Sequence, residues 1–236
     1  MKKKTRVGWA IASDEYKIAF EAPEKLHIQK DQSPNQKGFL SCPSVRSFAQ
    51  SFYIVKSPYS IKLRAIDDGE NINIFPVYPF TSIHDTLIKK LIMIEHPSTW
   101  RKSNTITIQV PSPYVFFSDQ LVLMEQSQPM LTNQTKLNWR VIPGMIDIYS
   151  WQRPLNWAFE WDLTTGDFIL HNNEPIYALR FFDGNKHLNN IDLVEYPMSQ
   201  KLKQQLTLTN GIAKVKKGLM PYFEKAKQKR KKLKLL

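Results

Sequence analysis

Short runs of β-branched and aromatic residues recur through the middle of the chain, with Pro, Asn, Asp or Gly between them. The runs span residues 51–55, 60–65, 72–78, 105–110, 114–117, 121–126, 144–149, 156–161, 167–170 and 175–182. Within 105–110, Ile106, Ile108 and Val110 alternate with polar residues, so the apolar side chains share one face of a strand. Runs of this composition and spacing predict an all-β fold of mainly antiparallel strands, arranged as a sandwich or barrel.

Helical patterns are few. Residues 43–50 favour one short helix, because Pro43 can occupy its first position. The apolar spacing over 81–91 fits neither a helix nor a strand well, so both assignments stay open. From Pro221 the chain is rich in helix formers, which predicts a basic C-terminal helix or tail, weakened by like charges at i, i+4.

Charge divides the chain into two parts. The whole chain of 236 residues carries a net charge of +12. Residues 201–236 hold twelve of the 33 Lys and Arg but one of the 21 Asp and Glu, a net charge of +11. The other residues are therefore almost neutral. We expect a β-rich domain over 1–200, with its core at about 40–182, and a basic C-terminal segment over 201–236.

Composition excludes several classes of protein. No apolar run approaches the roughly 18–20 residues of a membrane span, and no apolar segment follows the basic N-terminus, so we expect no secretory signal and no membrane partner. The single cysteine, Cys42, excludes an intramolecular disulfide and a multi-cysteine zinc site, and we expect it to be buried. A soluble protein of a reducing compartment fits these features.

Aromatic residues cluster in one predicted strand. Trp157, Phe159 and Trp161 stand at i, i+2 and i+4 and therefore share a strand face, and Trp151 precedes them closely. A sheet core or a subunit interface is the favoured role of these four residues. Stacking of sugars or bases on exposed rings stays open as the alternative.

Metal-binding and acid–base patterns are weak. The five histidines show none of the close spacings that indicate a metal site, so we predict no metal and no cofactor. Acid pairs occur at Asp67-Asp68 and at Glu160 with Asp162, and paired carboxylates can perform acid–base chemistry or bind a divalent metal. Asp67-Asp68-Gly69 is more simply a hairpin turn, since Gly supplies the positive φ that such turns need.

Three consecutive segments form a longer pattern. They read Ile-Pro-Gly-Met-Ile-Asp-Ile-Tyr at 142–149, Leu-Asn-Trp-Ala-Phe-Glu-Trp at 155–161 and Asp-Phe-Ile-Leu-His-Asn-Asn-Glu-Pro-Ile-Tyr-Ala-Leu-Arg-Phe at 167–181. This order resembles the strand–turn–strand pattern of the β-clip proteins, the dUTPases and dCTP deaminases. A Cys-Pro segment at 42–43 resembles the start of uncharacterised phage and bacterial proteins with that pattern. The resemblance covers about residues 40–182 and implies a β-clip-like scaffold.

The resemblance carries one catalytic candidate, Asp147, because the enzymes place an Asp there that orients the attacking water or contacts the sugar. Other parts of the enzyme pattern are missing. Residues 116–119, Phe-Phe-Ser-Asp, stand where the enzymes have a Gly-containing loop whose amides bind phosphate, and no Gly-rich arm follows at the C-terminus. A structural Asp in a β-turn is therefore the favoured role of Asp147.

The cationic run near the C-terminus is the clearest functional signal. Its basic side chains are Lys225, Lys227, Lys229, Arg230, Lys231, Lys232 and Lys234. Such a run neutralises phosphates without reading sequence, so nucleic acid is one predicted partner. Two alternatives stay open: docking onto an acidic protein surface, and a run that serves only to keep the protein in solution.

These features favour a non-catalytic structural or interaction protein of phage type, located in the host cytoplasm or the virion. Homo-oligomers and virion proteins are its expected partners, and the tail would bind an anionic one. Two alternatives stay open: an enzyme of nucleotide metabolism related to dUTPases and dCTP deaminases, and a nucleic-acid-binding regulator.

Overall fold

The structure is a computed structural model, and it describes residues 5–13, 19–27, 41–69, 71–130, 132, 137–183, 191–213, 225 and 228. In chain order, the strands are β1 (Thr5–Ile11), β2 (Glu24–Lys25), β3 (Phe52–Lys56), β4 (Ile61–Asp67), β5 (Ile72–Pro76), β6 (Met93–Ile94), β7 (Thr105–Pro111), β8 (Tyr114–Phe117), β9 (Val122–Ser127), β10 (Trp139–Val141), β11 (Gly144–Asp147), β12 (Asn156–Asp162), β13 (Phe168–Leu170), β14 (Pro175–Asp183) and β15 (Ile191–Glu195). The α-helices are α1 (Pro43–Ala49), α2 (Asp85–Leu91) and α3 (Gln200–Ala213).

The strands form four sheets, whose orders are β11-β9-β14-β3-β2, β10-β12-β7-β6, β15-β1-β8 and β13-β4-β5. All neighbouring strands in these sheets run antiparallel except β1 and β15, which pair in parallel. The predicted all-β, mainly antiparallel fold is therefore confirmed. The runs at 105–110 and 175–182 are strands β7 and β14, as their alternation predicts.

Two of the segments with helical patterns contain short helices. Residues 43–50 contain the short helix α1, with Pro43 at its first position. Of the ambiguous segment 81–91, only Asp85–Leu91 is helical. His84 caps this helix, because its Nδ1 accepts a hydrogen bond from the amide of Thr86 at 3.3 Å. Among the described helices, none is long and apolar enough to cross a membrane.

One apolar core joins all four sheets. Alternation along each strand turns one row of side chains inward, and these rows meet in a single cluster of buried residues. Trp9, Val55, Leu63 and Ile106, each from a different sheet, belong to that cluster. The described strands thus form one folding unit around a common core.

The hairpin between β4 and β5 turns at the predicted Asp-Asp-Gly sequence. Gly69 has a φ of +87°, which a residue with a Cβ adopts only with strain. Its amide donates to Asp67 Oδ1 at 2.9 Å, and the amide of Asn71 donates to Asp68 Oδ1 at 2.7 Å. Both carboxylates of this acid pair are therefore part of the turn.

Helix α3 covers the outer face of the β15-β1-β8 sheet. Leu202 and Leu206 pack against Ala10, Val115 and Phe117 in a second apolar cluster. Because α3 begins at Gln200, the first residues of the basic segment 201–236 are packed on the β-rich domain.

The far end of this contact is polar. The hydroxyl of Thr209 donates to the main-chain carbonyl of Gln152, and both residues are fully buried. Beyond α3, only residues 225 and 228 are described, so the predicted basic helix lies almost wholly outside the described residues.

Replacing Leu202 by Ala should lower the free energy of unfolding by about 2–5 kcal/mol, because it leaves a cavity under α3. Urea unfolding followed by tryptophan fluorescence measures this change. Lys203→Ala, on the exposed side of the same helix, is the matched control and should change stability by less than about 0.5 kcal/mol. Equal stabilities of Leu202→Ala and the control would contradict the packing of α3.

Candidate functional site

The aromatic residues of β12 face the core. Trp157, Phe159 and Trp161 are each at most 3% exposed. Trp157 stacks on Phe159 with a centroid distance of 4.6 Å, and Phe159 stacks on Phe168 at 5.0 Å. Their rings are packed against other side chains and are closed to a sugar or a base.

Trp151 lies apart from this stack. It is partly exposed, and the guanidinium of Arg153 lies 5.3 Å from the centroid of its ring. Such an Arg–Trp contact is a cation–π interaction. The four aromatic residues that the sequence groups together therefore occupy two different environments.

Asp147 ends strand β11 and closes the turn that follows it. Its Oδ1 accepts hydrogen bonds from the amides of Tyr149 at 2.9 Å and Ser150 at 3.3 Å. Its Oδ2 accepts one from the hydroxyl of Ser150 at 2.7 Å. Both carboxylate oxygens are therefore engaged in the turn, which is the structural role that short acidic side chains commonly play in such loops.

Residues 116–118, at the place where the resemblance predicts a phosphate loop, are buried. Phe116 and Phe117 are buried residues of β8, and Ser118 is 0% exposed. The hydroxyl of Ser118 donates to the carbonyl of Arg6 at 3.2 Å and accepts from the amide of Gln120 at 3.3 Å. These bonds tie the segment to the neighbouring strand β1.

Cys42 is exposed, so the expectation that it is buried is wrong. It precedes α1, where the first amides of a helix have no partner within the helix. Hydrogen bonds from the amides of Val45 and Ser44 lower the pKa of the Cys42 thiol. Burial was expected because free cysteines are usually apolar core residues, but this one occupies a helix cap.

A cleft on the outer face of the β10-β12-β7-β6 sheet brings together five charged side chains. Because the aromatic residues of β12 point inward, Glu160 points outward. Its strand neighbours are Arg140 of β10 and Thr107 of β7. Arg101, from the loop before β7, donates from Nε to Glu160 Oε1 at 2.5 Å and from Nη2 to Oε2.

Positive charges dominate the electrostatics of Glu160. Hydrogen bonds from the Arg101 guanidinium lower the pKa of the Glu160 carboxyl, and the charges of Arg101, Arg140 and Lys102 lower it further against the effect of burial. The pKa of Asp162 is also lowered, first by hydrogen bonds from the hydroxyl and amide of Thr164. Both acids of the pair are thus held as carboxylates at neutral pH.

The two acids have separate structural roles. Glu160 binds Arg101 through both oxygens, whereas Asp162 caps the 3₁₀ turn Leu163–Thr165. Neither carboxylate is arranged with a third acid or a histidine, and the described residues contain no group of three or more His, Cys, Asp or Glu that could hold a metal. An acid–base or metal role of this pair gains no support from its geometry.

The cleft has a volume of about 230 Å³ and is lined by ten residues. They are Arg101, Lys102, Thr105, Leu137, Asn138, Trp139, Arg140, Glu160, Asp162 and Thr165. Three cations and two carboxylates among them leave a local charge of +1. The sequence pointed to the acids but missed the arginines, because Arg101 and Arg140 lie far from Glu160 along the chain. The sequence feature that could have indicated them is a glutamate between the aromatic residues of a strand. Such a glutamate becomes largely buried when the sheet packs, and a buried carboxylate is costly without a cation beside it.

Arg101→Met should weaken the protein most at neutral pH and least in acid. The pKa of Glu160 is lower in the folded protein than in the unfolded chain, where it is about 4.3. The pair with Arg101 therefore stabilises the fold at pH values above about 4.3, and this stabilisation is lost as the pH falls through the pKa of folded Glu160. The difference in Tm between wild type and Arg101→Met should therefore be largest above about pH 5 and shrink toward pH 3.

Thermal unfolding across this pH range provides the measurement. Lys89→Met, an exposed cation on α2, is the control and should give a small difference that is independent of pH. A constant Tm difference for Arg101→Met would show that Glu160 is not the group responsible.

The chain matches no protein-family model, and no curated protein or solved structure gives a significant match to it.

Proposed function

We propose that this protein is a non-catalytic interaction protein, in which a β-rich body carries a basic C-terminal segment that binds an anionic partner. The observation that carries the proposal is the separation of charge, with a net charge of +11 in residues 201–236. Helix α3 packs the beginning of this segment onto the β15-β1-β8 sheet. The basic segment thus begins in a helix that is packed on the folded body.

The partner is a polyanion. The basic side chains are Lys225, Lys227, Lys229, Arg230, Lys231, Lys232 and Lys234, and Glu224 is the one acid among residues 201–236. Lysine-rich runs bind phosphates through charge and counterion release, which requires no fixed geometry. Nucleic acid is the favoured partner, and an acidic protein surface is the second candidate.

The body supports a non-catalytic role through Asp147. Its carboxylate oxygens are engaged with Tyr149 and Ser150, and the segment around Ser118 is bound to β1. Both Asp147 and the segment around Ser118 thus have structural roles, although the resemblance to dUTPases would assign them to catalysis and to phosphate binding. A phage-type structural or interaction protein on a β-clip-like scaffold, assembled with copies of itself or with virion proteins, is consistent with these roles.

Deleting residues 222–236 should abolish salt-sensitive binding to nucleic acid and leave the body folded. Each phosphate that the tail neutralises contributes roughly 0.7–0.9 to the slope of log affinity against log salt. Filter binding of full-length and truncated protein to a duplex and to a single strand, at several salt concentrations, measures this slope. The sequences of the probes should not matter, because charge alone reads no base edges.

A variant in which the seven basic residues of 225–234 are replaced by Gln is the matched control. It keeps the length of the chain and should behave like the deletion. Binding to an acidic polypeptide that survives competition by nucleic acid would favour the second partner. Equal affinity of full-length and truncated protein for both probes would contradict the proposal.

An enzyme of nucleotide metabolism is the alternative, and it predicts turnover. Incubation with dUTP or dCTP and magnesium should release no pyrophosphate and no ammonia above the background of heat-inactivated protein. Asp147→Ala is the decisive variant, because it removes the one catalytic candidate of the resemblance. Product formation by wild type that disappears in Asp147→Ala would make the enzyme the better function.

A further inference from the structure

We propose that the cleft around Arg101, Lys102 and Arg140 is a binding site for a phosphate group, separate from the basic tail. The cleft is a concavity of about 230 Å³ on a rigid sheet, and cations reach it from two sides. Arg140 belongs to β10, whereas Lys102 lies in the turn before β7. All ten lining residues named above belong to the β-rich body.

Hydrogen-bond donors already occupy part of both carboxylates in the cleft. Arg101 binds both oxygens of Glu160 through Nε and Nη2, and Oδ1 of Asp162 accepts hydrogen bonds from the amide and hydroxyl of Thr164 at 3.0 and 2.6 Å. An incoming anion therefore meets a Glu160 carboxylate that is bound to Arg101 and an Asp162 carboxylate that is bound at Oδ1. The pairing also leaves Nη1 of Arg101 without a described partner.

Two of the three cations in the cleft have no direct side-chain partner among the described residues. Neither Lys102 nor Arg140 forms a hydrogen bond or ion pair through its side chain with another residue in the described part of the chain. This contrasts with Arg64 and Arg180, which bind Asp167 and Glu125 on two other sheets. Both Lys102 and Arg140 line the same cleft as Glu160, and Arg140 is its cross-strand neighbour.

The backbone fixes the positions of these cations. Arg140 pairs with Glu160 across β10 and β12, and the flanking Trp139 and Val141 are buried in the core. Lys102 forms an isolated β-bridge with Thr105, in which the amide of Thr105 donates to the carbonyl oxygen of Lys102 at 3.2 Å. A site whose cations stand on rigid elements loses less entropy when it binds a ligand than a flexible lysine run does.

A phosphate group fits this arrangement better than a carboxylate does. It carries close to two negative charges at neutral pH and three strong acceptor oxygens, which match the side chains of Lys102 and Arg140 and the remaining guanidinium donor of Arg101. Arginine presents a planar set of donors to phosphate, and lysine adds a point charge. The cleft is smaller than the roughly 300–1,000 Å³ of sites that enclose a whole small molecule, so the group bound is a phosphate and not an entire nucleotide.

Isothermal titration calorimetry of the full-length protein with inorganic phosphate tests the site, with acetate as the charge control. Wild type should bind phosphate and not acetate. Arg140→Gln and Lys102→Gln should each weaken phosphate binding about tenfold or more, because each removes a charged donor. Lys89→Gln is the matched control and should leave the affinity unchanged.

Two further variants separate binding from folding and from the tail. Arg140→Lys keeps the charge but loses the planar donors, so its affinity should lie between those of wild type and Arg140→Gln. The variant with seven Gln in 225–234 should bind phosphate like wild type. The two proposals are therefore tested separately, because either the cleft or the tail can fail its test while the other passes. Near-ultraviolet circular dichroism verifies that each variant is folded.

The phosphate can come from a free phosphomonoester or from a polynucleotide backbone, and a second titration distinguishes these sources. If Arg140→Gln lowers the salt slope for an oligonucleotide by roughly 0.7–0.9, the cleft takes a backbone phosphate. If only the affinity for a nucleoside monophosphate falls, the cleft takes a free one. Phosphate bound no better than acetate, or equally well by wild type, Arg140→Gln and Lys102→Gln, would overturn the proposal.

Discussion

The alternation of side chains along β12 is the constraint on which the rest of the structure depends. Once Trp157, Phe159 and Trp161 enter the core, Glu160 between them must stand on the outer face of the sheet. A carboxylate that is only 8% exposed is costly without a cation, and Arg101 supplies one through two hydrogen bonds. The same packing that fills the core therefore also determines which side chains form the cleft.

Two of the other sheets also carry an arginine paired with a carboxylate. Arg180 of β14 binds Glu125 of β9, its neighbour across the strands, and its guanidinium lies 4.7 Å from the ring centroid of Phe182. Arg64 of β4 binds Asp167 through both of its oxygens. Each pair fixes a long side chain on a partly solvated face, so the outer surfaces are ordered as well as the core. The cleft differs from these surfaces because Glu160 has more cations around it than it can bind.

The sequence predicted what depends on local patterns and missed what depends on distant pairing. Alternation identified β7, β14 and the inward row of β12, and the Asp-Gly signal identified the β4–β5 turn. The pattern could not show that Cys42, just before the predicted short helix, is exposed, because free cysteines are usually buried apolar residues. Local patterns also could not predict that Arg101 and Arg140 lie beside Glu160. The neighbours of a residue across strands depend on the register of the strands, which a local pattern does not encode.

The parallel pairing of β1 with β15 has a consequence for how the chain acquires its structure. Strand β1 lies between β8 and β15, so Thr5, near the beginning of the chain, needs Ile191 beside it. In the course of synthesis, β1 is made long before its parallel partner β15, so one edge of β1 has no partner strand until residues 191–195 exist. Contacts between such distant residues slow folding and expose strand edges to other chains. The β15-β1-β8 sheet, and the packing of α3 on it, are therefore completed late in folding.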